Sequence, residues 1–239
     1  MQGAIYKVCR AIIEPNFVVY GNYQRAEPNI TFLFSRPGFG KTTLALQLSS
    51  RIASMTGGNA VVFSMEWPGD RLLERCSSMG LDNIIVDDDP LFTVDGAIAK
   101  LEEIPDVRIV VVDSLQLING NEDKGRLGDL DKRTGGAPVL VTSQLGRASE
   151  DNPSRLATLT DILSTLHRSG FSLLETKRFK KLCLNRPHGC YRNIGTAVDF
   201  DVSDETRIVE YGADGPTGEY ELFWGPHSMM FSDTKPGCD

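Results

Sequence analysis

From Asn29 onward, continuous apolar runs of strand length alternate with amphipathic stretches of helix length. Residues 30–34 (ITFLF), 60–65 (AVVFSM), 83–88 (NIIVDD), 107–113 (VRIVVVD) and 137–144 (APVLVTSQ) read as strands. Residues 41–55, 68–79 and 93–104 read as the helices between them. Gly57 and Gly58 stop the first, Pro68 opens the second in its first turn, and Thr93 or Asp95 caps the third. Strands that are apolar throughout have no solvent face, so they form a mostly parallel sheet with helices on both sides. Beyond Gln144 the pattern changes. A polar loop (145–155) leads to a helix over 158–167. Short strands follow at 171–178, 181–185, 195–202, 206–212 and 219–225, an antiparallel extension at the C-terminal edge. Residues 1–28 are irregular, with their own Pro and Gly punctuation, and read as an N-terminal arm or partner-docking segment. Residues 29–239 form one α/β domain.

Composition changes this picture little, because 41% hydrophobic and 24% charged residues are ordinary values for a globular protein. No apolar run reaches the ~18–20 residues of a membrane helix. The first residues, broken by Lys7, Arg10 and Glu14, do not make a signal peptide, so no membrane association and a cytoplasmic location are expected. The net charge of −7 argues against a protein that coats nucleic acid by bulk charge. It leaves room for a ring that presents a few basic loops to a strand. Five scattered cysteines do not make a disulfide framework, and Cys183, His188 and Cys190 lack a second ligand pair at zinc spacing.

The densest chemistry lies in Ser35, Arg36, Pro37, Gly38, Phe39, Gly40, Lys41, Thr42 and Thr43, between a buried strand and a helix. That context is what a phosphate-binding loop requires. The glycines let the backbone turn its N–H groups toward anionic oxygens, and the helix dipole adds to the field. Lys41 is a point charge for the β- and γ-phosphates, and the Thr42 hydroxyl is placed to ligate Mg²⁺. Ser35 stands where the usual pattern has its first glycine, which a negative φ permits. Asp113 ends a buried strand, where it can hold the Mg²⁺ water shell. Glu66 follows another such strand and either polarises the attacking water or is a solvated turn residue. Gln144, at a third strand end, either senses the γ-phosphate or simply ends its strand.

The segments RPGFGKTTLALQLS, VVFSMEWP, IVVVDSLQLI and PVLVTSQLGR, in that order, resemble the RecA-type P-loop ATPases. Within them they resemble the DnaB-like and phage hexameric replicative helicases. The likeness covers residues 29–148, and Leu115–Gln116 matches the D-x-L-Q-L signature of the DnaB-like branch. It implies a RecA-like fold, ATP and Mg²⁺ as cofactors, Glu66 as catalytic base and Gln144 as the sensor coupled to DNA loops. It also implies a homo-oligomer, a hexameric ring, acting on single-stranded DNA in replication. In this family a neighbouring subunit supplies an arginine finger after a Lys-x-Arg strand. In LCLNRPHG that finger is Arg186, with Leu184 at the lysine position. An alternative alignment on the GPTG turn puts Ala213 at the finger position and Tyr211 at the lysine position, leaving no finger. Residues 120–137 are short and glycine-rich where the family has a long helix.

The candidate DNA contacts are Lys124, within residues 119–126, and Arg147 and Arg155, within 147–155. Glu122, Asp123, Glu150 and Asp151 in the same loops keep open the reading of solvated mixed-charge surface. The basic run at 177–181 (KRFKK) reads as a solvated face. Three functions fit these residues: an ATP-driven helicase, a RecA- or KaiC-like ATPase that remodels a nucleoprotein or protein partner, and a weakly hydrolysing regulatory module.

Overall fold

Every residue of the strand Ile30–Ser35 is buried, because it lies inside a nine-stranded sheet covered on both faces. The computed structural model describes residues 3–20, 23–145, 156–185, 193–194, 197–198, 205–212, 215–225, 228 and 230–234. In chain order the elements are α1 (Ala4–Ile13), β1 (Phe17–Tyr20), β2 (Tyr23–Ala26), β3 (Ile30–Ser35), α2 (Lys41–Thr56), β4 (Asn59–Ser64), α3 (Gly69–Ser78), β5 (Ile84–Asp87), α4 (Val94–Glu103) and β6 (Val107–Asp113). A 3₁₀ turn (Leu115–Leu117) leads to α5 (Asn121–Arg126), α6 (Gly128–Arg133) and β7 (Val139–Gln144). The chain continues with α7 (Leu159–Arg168), α8 (Leu173–Thr176), β8 (Lys180–Asn185), β9 (Asn193–Ile194), β10 (Ala197–Val198), β11 (Glu205–Tyr211), β12 (Pro216–Gly225) and β13 (Met230–Ser232).

The sheet order is β13-β12-β11-β8-β3-β7-β6-β4-β5. The six strands from β8 to β5 run parallel, and β11, β12 and β13 add antiparallel to β8. Alternation along the strands splits the core into two layers. Phe32, Phe34, Val110, Val112 and Val141 face α4, α6 and α7 through Leu101, Leu130 and Leu166. Leu33, Val62, Val111 and Leu140 face α1, α2 and α3 through Ile12, Leu48 and Leu72. Burying aliphatic side chains of this size contributes about 1.5–3 kcal/mol each. Thr93 caps α4, its hydroxyl accepting the Gly96 N–H at 3.1 Å.

Four expectations need correction. The first 28 residues are not irregular throughout. α1 buries Val8, Cys9 and Ile12 completely, packing on α2 and β12, and β1 and β2 form an antiparallel hairpin. Residues 171–178 are not a strand. Ser172 and Glu175 form a capping box that starts the single turn α8, with the Glu175 carboxylate accepting the Ser172 N–H at 2.7 Å. Residues 181–185 do not belong to the antiparallel set alone, because β8 is parallel to β3 and antiparallel to β11. It is the strand at which direction changes. Lastly, the 177–181 run is a solvated face only at Lys177. Arg178 Nε donates to Glu27 Oε2 at 2.6 Å. Lys180 Nζ donates to the carbonyls of Ala11, Ile12 and Glu14 at the end of α1. Lys181 is 1% exposed and donates to the Phe179 carbonyl. Burial pulls both of these lysines down to about 8. Of the predicted strand at 195–202, Ala197–Val198 pairs with Asn193–Ile194 in a separate two-stranded sheet, and residues 195–196 and 199–202 lie outside the described residues.

Candidate active site

The C-terminal ends of β3, β4, β6 and β7 converge on one edge of the sheet, where parallel α/β folds bind ligands. β3 runs into a tight loop, and α2 begins at Lys41. Gly38 and Gly40 adopt φ of 73° and 86°, a left-handed conformation that side-chain-bearing residues rarely tolerate. At Gly40 space is also short, since a Cβ there would stand 3.1 Å from the Phe231 ring. Ser35, at the position of the missing first glycine, is fully buried and donates its hydroxyl to the Arg36 carbonyl at 2.9 Å. Its φ is not positive, so the substitution costs the loop no backbone strain.

Asp113 is the meeting point of the loop and the sheet. Thr42 Oγ1 donates to its Oδ2 at 2.8 Å. Thr142 on β7 donates to its Oδ1, and Lys41 Nζ stands 3.7 Å from that same oxygen. The Asp113–Ser114 peptide bond is cis. Glu66, exposed just past β4, accepts the Ser114 hydroxyl on Oε1 at 3.1 Å. The Ser64 hydroxyl folds the turn that carries Glu66, donating to the Trp67 carbonyl at 2.7 Å and accepting the Trp67 N–H at 3.2 Å. A hydroxyl and a carboxylate facing each other, with a cation alongside, match what Mg²⁺ takes from protein. That is one or two hard oxygen ligands, with the remaining positions left to water and phosphate.

A cavity of about 510 Å³ opens above this cluster. All nine predicted loop residues except Phe39 line it, together with Glu66 and Gln144. The Phe39 side chain turns into the core instead. Three lining residues escaped the sequence reading: Trp67, Arg75 and Trp224. Arg75 on α3 donates from Nη2 to Thr43 Oγ1 at 2.6 Å, while its buried Nε has no hydrogen-bond partner among the described residues. Burial lowers its pKa from the ordinary arginine value. A desolvated guanidinium with an unmet donor at the cavity wall is arranged for an anion. Its signal in the sequence was a charge beside Leu72 and Cys76, the buried stripe of α3. Trp224 had no local signal, because β12 and β13 bring it there. Gln47 clamps Phe231 of β13 onto α2 through two hydrogen bonds, 3.0 Å and 2.8 Å. Phe231 and Trp224 then stack edge to face, 4.9 Å between centroids.

Lys124 lies on α5, away from this cavity and beside a second one. Arg147, Arg155, Arg186 and Ala213 lie outside the described residues. Leu184, at the predicted lysine position of the finger strand, is buried in the core. Tyr211, its counterpart in the other alignment, donates its hydroxyl to the Ala157 carbonyl at 2.8 Å. No helix among the described residues is long and apolar enough to cross a membrane.

The AAA domain family matches residues 25–146, just over half of the chain. The chain is 25% identical over 183 residues to the replicative DNA helicase DnaB of Geobacillus stearothermophilus; the match takes in 59% of this chain and 40% of that protein. It therefore spans well under half the length of that relative. A solved DnaB-like replicative helicase, described with its interactions with primase, superposes with a TM-score of 0.66 at 19% identity, covering 84% of this chain and 56% of that one. A KaiC-like protein from Pyrococcus horikoshii superposes with a TM-score of 0.51 at 17% identity, covering 87% and 90%. These two likenesses establish the fold. The match of the AAA model to just over half of the chain places it in the AAA domain family, and with the phosphate loop, the paired acids and the RecA-like parallel sheet the domain is a RecA-type P-loop ATPase domain, similar to that of DnaB-like helicases.

Proposed function

We propose that this chain is the motor of a helicase: it hydrolyses ATP and uses the energy to move along single-stranded DNA in replication. The observation that carries the ATPase half is the Thr42–Asp113–Lys41 cluster beneath the loop, with Glu66 held to the same edge by Ser114. Lys41 and Arg75 hold the phosphate tail, and Glu66 orients the attacking water and takes its proton. Thr42 and Asp113 would hold Mg²⁺, which would supply charge neutralisation for the phosphate tail. Gln144 reports the state of the tail to the chain that follows β7. Assembly into a ring of six, with Arg186 reaching the neighbour's nucleotide, follows the DnaB-like resemblance. DNA and replication are supported by the DnaB relative, whose name is that of a replicative DNA helicase, and single-stranded DNA as the track follows the family resemblance.

The test is hydrolysis by the full chain with and without oligothymidylate, alongside its mass in solution with nucleotide. The expected result is stimulation by the oligonucleotide and a nucleotide-dependent oligomer. Hydrolysis indifferent to DNA, with displacement of a protein partner instead, would favour the remodelling ATPase.

A further inference from the structure

Thr142 breaks the pattern of its own strand. Along β7, Leu140 packs in the α2 layer of the core, and Val139 and Val141 pack in the opposite layer. Alternation therefore puts Thr142 on the α2 face, where it is 0% exposed. The parallel register Val112↔Val141 carries it alongside Asp113, one residue further on in each strand. A sheet covered on both faces calls for an apolar residue at such a position. Threonine brings a methyl group, and also a hydroxyl that needs a partner when buried. That partner is Asp113, whose Oδ1 accepts the Thr142 hydroxyl.

Asp113 is 1% exposed, and a buried carboxylate needs donors around its oxygens. Thr142 donates to Oδ1 and Thr42 to Oδ2. The torsion that sets the carboxylate plane is broad and roughly two-fold, so the rotamer alone does not fix it. The two hydroxyls do. A hydroxyl has a single proton to give. Thr42 gives its proton to Oδ2, at 2.8 Å, and keeps its lone pairs for the cavity that it lines. Lys41 Nζ is the next donor, 3.7 Å from Oδ1 and beyond hydrogen-bond reach.

We propose that Thr142 is a positioning residue for the metal and phosphate site. Its hydroxyl occupies Oδ1, which turns Oδ2 to Thr42 and leaves Lys41 available to the phosphate tail. Without that hydroxyl, the Lys41 ammonium is the nearest group able to satisfy Oδ1. It would close the 3.7 Å gap, tilt the carboxylate away from Thr42 and direct its charge into the protein instead of the cavity. The proposal rests on the ATPase reading above and adds to it a residue that does not itself line the cavity.

The experiment is titration of the full chain with Mg²⁺ at a fixed concentration of a fluorescent, slowly hydrolysed ATP analogue. It reads the Mg²⁺ concentration at half-maximal binding, alongside a melting temperature. Thr142→Val keeps the shape and removes the hydroxyl. It should raise that midpoint about 10-fold, the scale of losing a group that orients a metal ligand. Thr142→Ser keeps the hydroxyl and loses a buried methyl, so it should melt earlier yet hold the wild-type midpoint. Should the valine variant not fold, Thr142→Ala against Thr142→Ser makes the same comparison, since those two differ by the hydroxyl alone. In an Asp113→Asn background, Thr142→Val should add nothing, because the hydroxyl acts through that carboxylate. A valine variant with the wild-type midpoint overturns the proposal. So does a serine variant whose midpoint rises as far as that of valine, or a valine shift that persists in full in Asp113→Asn. Each of these leaves the ATPase reading standing. Wild type that fails to bind the analogue, or binds it equally well without Mg²⁺, removes the reading of a metal–nucleotide site, and the role of Thr142 with it.

Discussion

The parallel part of the sheet and its antiparallel edge serve the same loop in different ways. In the parallel part, each candidate site residue sits at or just past the end of its own strand: Lys41 and Thr42 after β3, Glu66 after β4, Asp113 at the end of β6, Gln144 at the end of β7. The topology sends all these ends to one edge, so position along the strand is already position in the site. At the antiparallel edge nothing is placed by such a rule. Trp224 and Phe231 reach the loop only because β12 and β13 pair in one register and Gln47 fastens that pair to α2. Chemistry comes from one region and the shape of its floor from the other.

The sharpest way to break this division is to remove the charge in the first region. Lys41→Ala should lower ATP hydrolysis by about 10²–10³-fold or more, the scale set by losing a preorganised charge at a transition state; hydrolysis at the wild-type rate would disprove the loop's role. Glu66→Gln should cost about 10²–10⁴-fold in hydrolysis while ATP still binds. Loss of binding in a titration with a fluorescent ATP analogue would make Glu66 a structural residue of its turn.

In the second region the expected effect is on packing. Phe231→Ala leaves a void under Gly40 and should destabilise the fold by about 3–5 kcal/mol in denaturant unfolding. If the edge supports the loop, nucleotide affinity of the molecules that remain folded falls as well. Unchanged affinity would make the edge independent of the site.

A smaller effect separates the regions by pH. Burial holds the Lys181 ammonium down at about 8, below the 10.5 of free lysine. Between those values the unfolded chain binds more protons than the folded one, so stability rises with pH through that window. Melting temperatures near about pH 7.5 and about pH 9.5 should differ by a few degrees in wild type and by less in Lys181→Met. An identical rise in the variant would remove Lys181 as its source.

Legibility followed the same boundary. The five parallel strands from β3 to β7 and the helices α2, α3 and α4 were readable, because burial on both faces leaves apolar runs that no solvent-facing strand shows. α1 was missed, although Val8, Cys9 and Ile12 fall on one helical stripe, because Pro15, Gly21 and Pro28 drew attention to the breaks around it. α8 was missed because its two exposed leucines imitate a strand, while the S-x-x-E capping box that starts it went unread. Arg75 was passed over because a lone arginine beside a buried stripe looks like helix surface. Only its unmet Nε and its contact with Thr43 distinguish it.

The sequence by itself determined the phosphate loop, the two acids and the parallel order that brings them to one edge. Those features depend on short stretches whose backbone and burial are locally dictated: glycines where φ must be positive, apolar runs that must be covered, polar residues where strands end. Only the tertiary structure decided where Lys180 and Lys181 are packed, that Arg75 points at the loop, and that Trp224 and Phe231 floor it. Each of those contacts joins residues far apart in the chain. It depends on strand register and on how closely two helices approach, and no local pattern of residues encodes either.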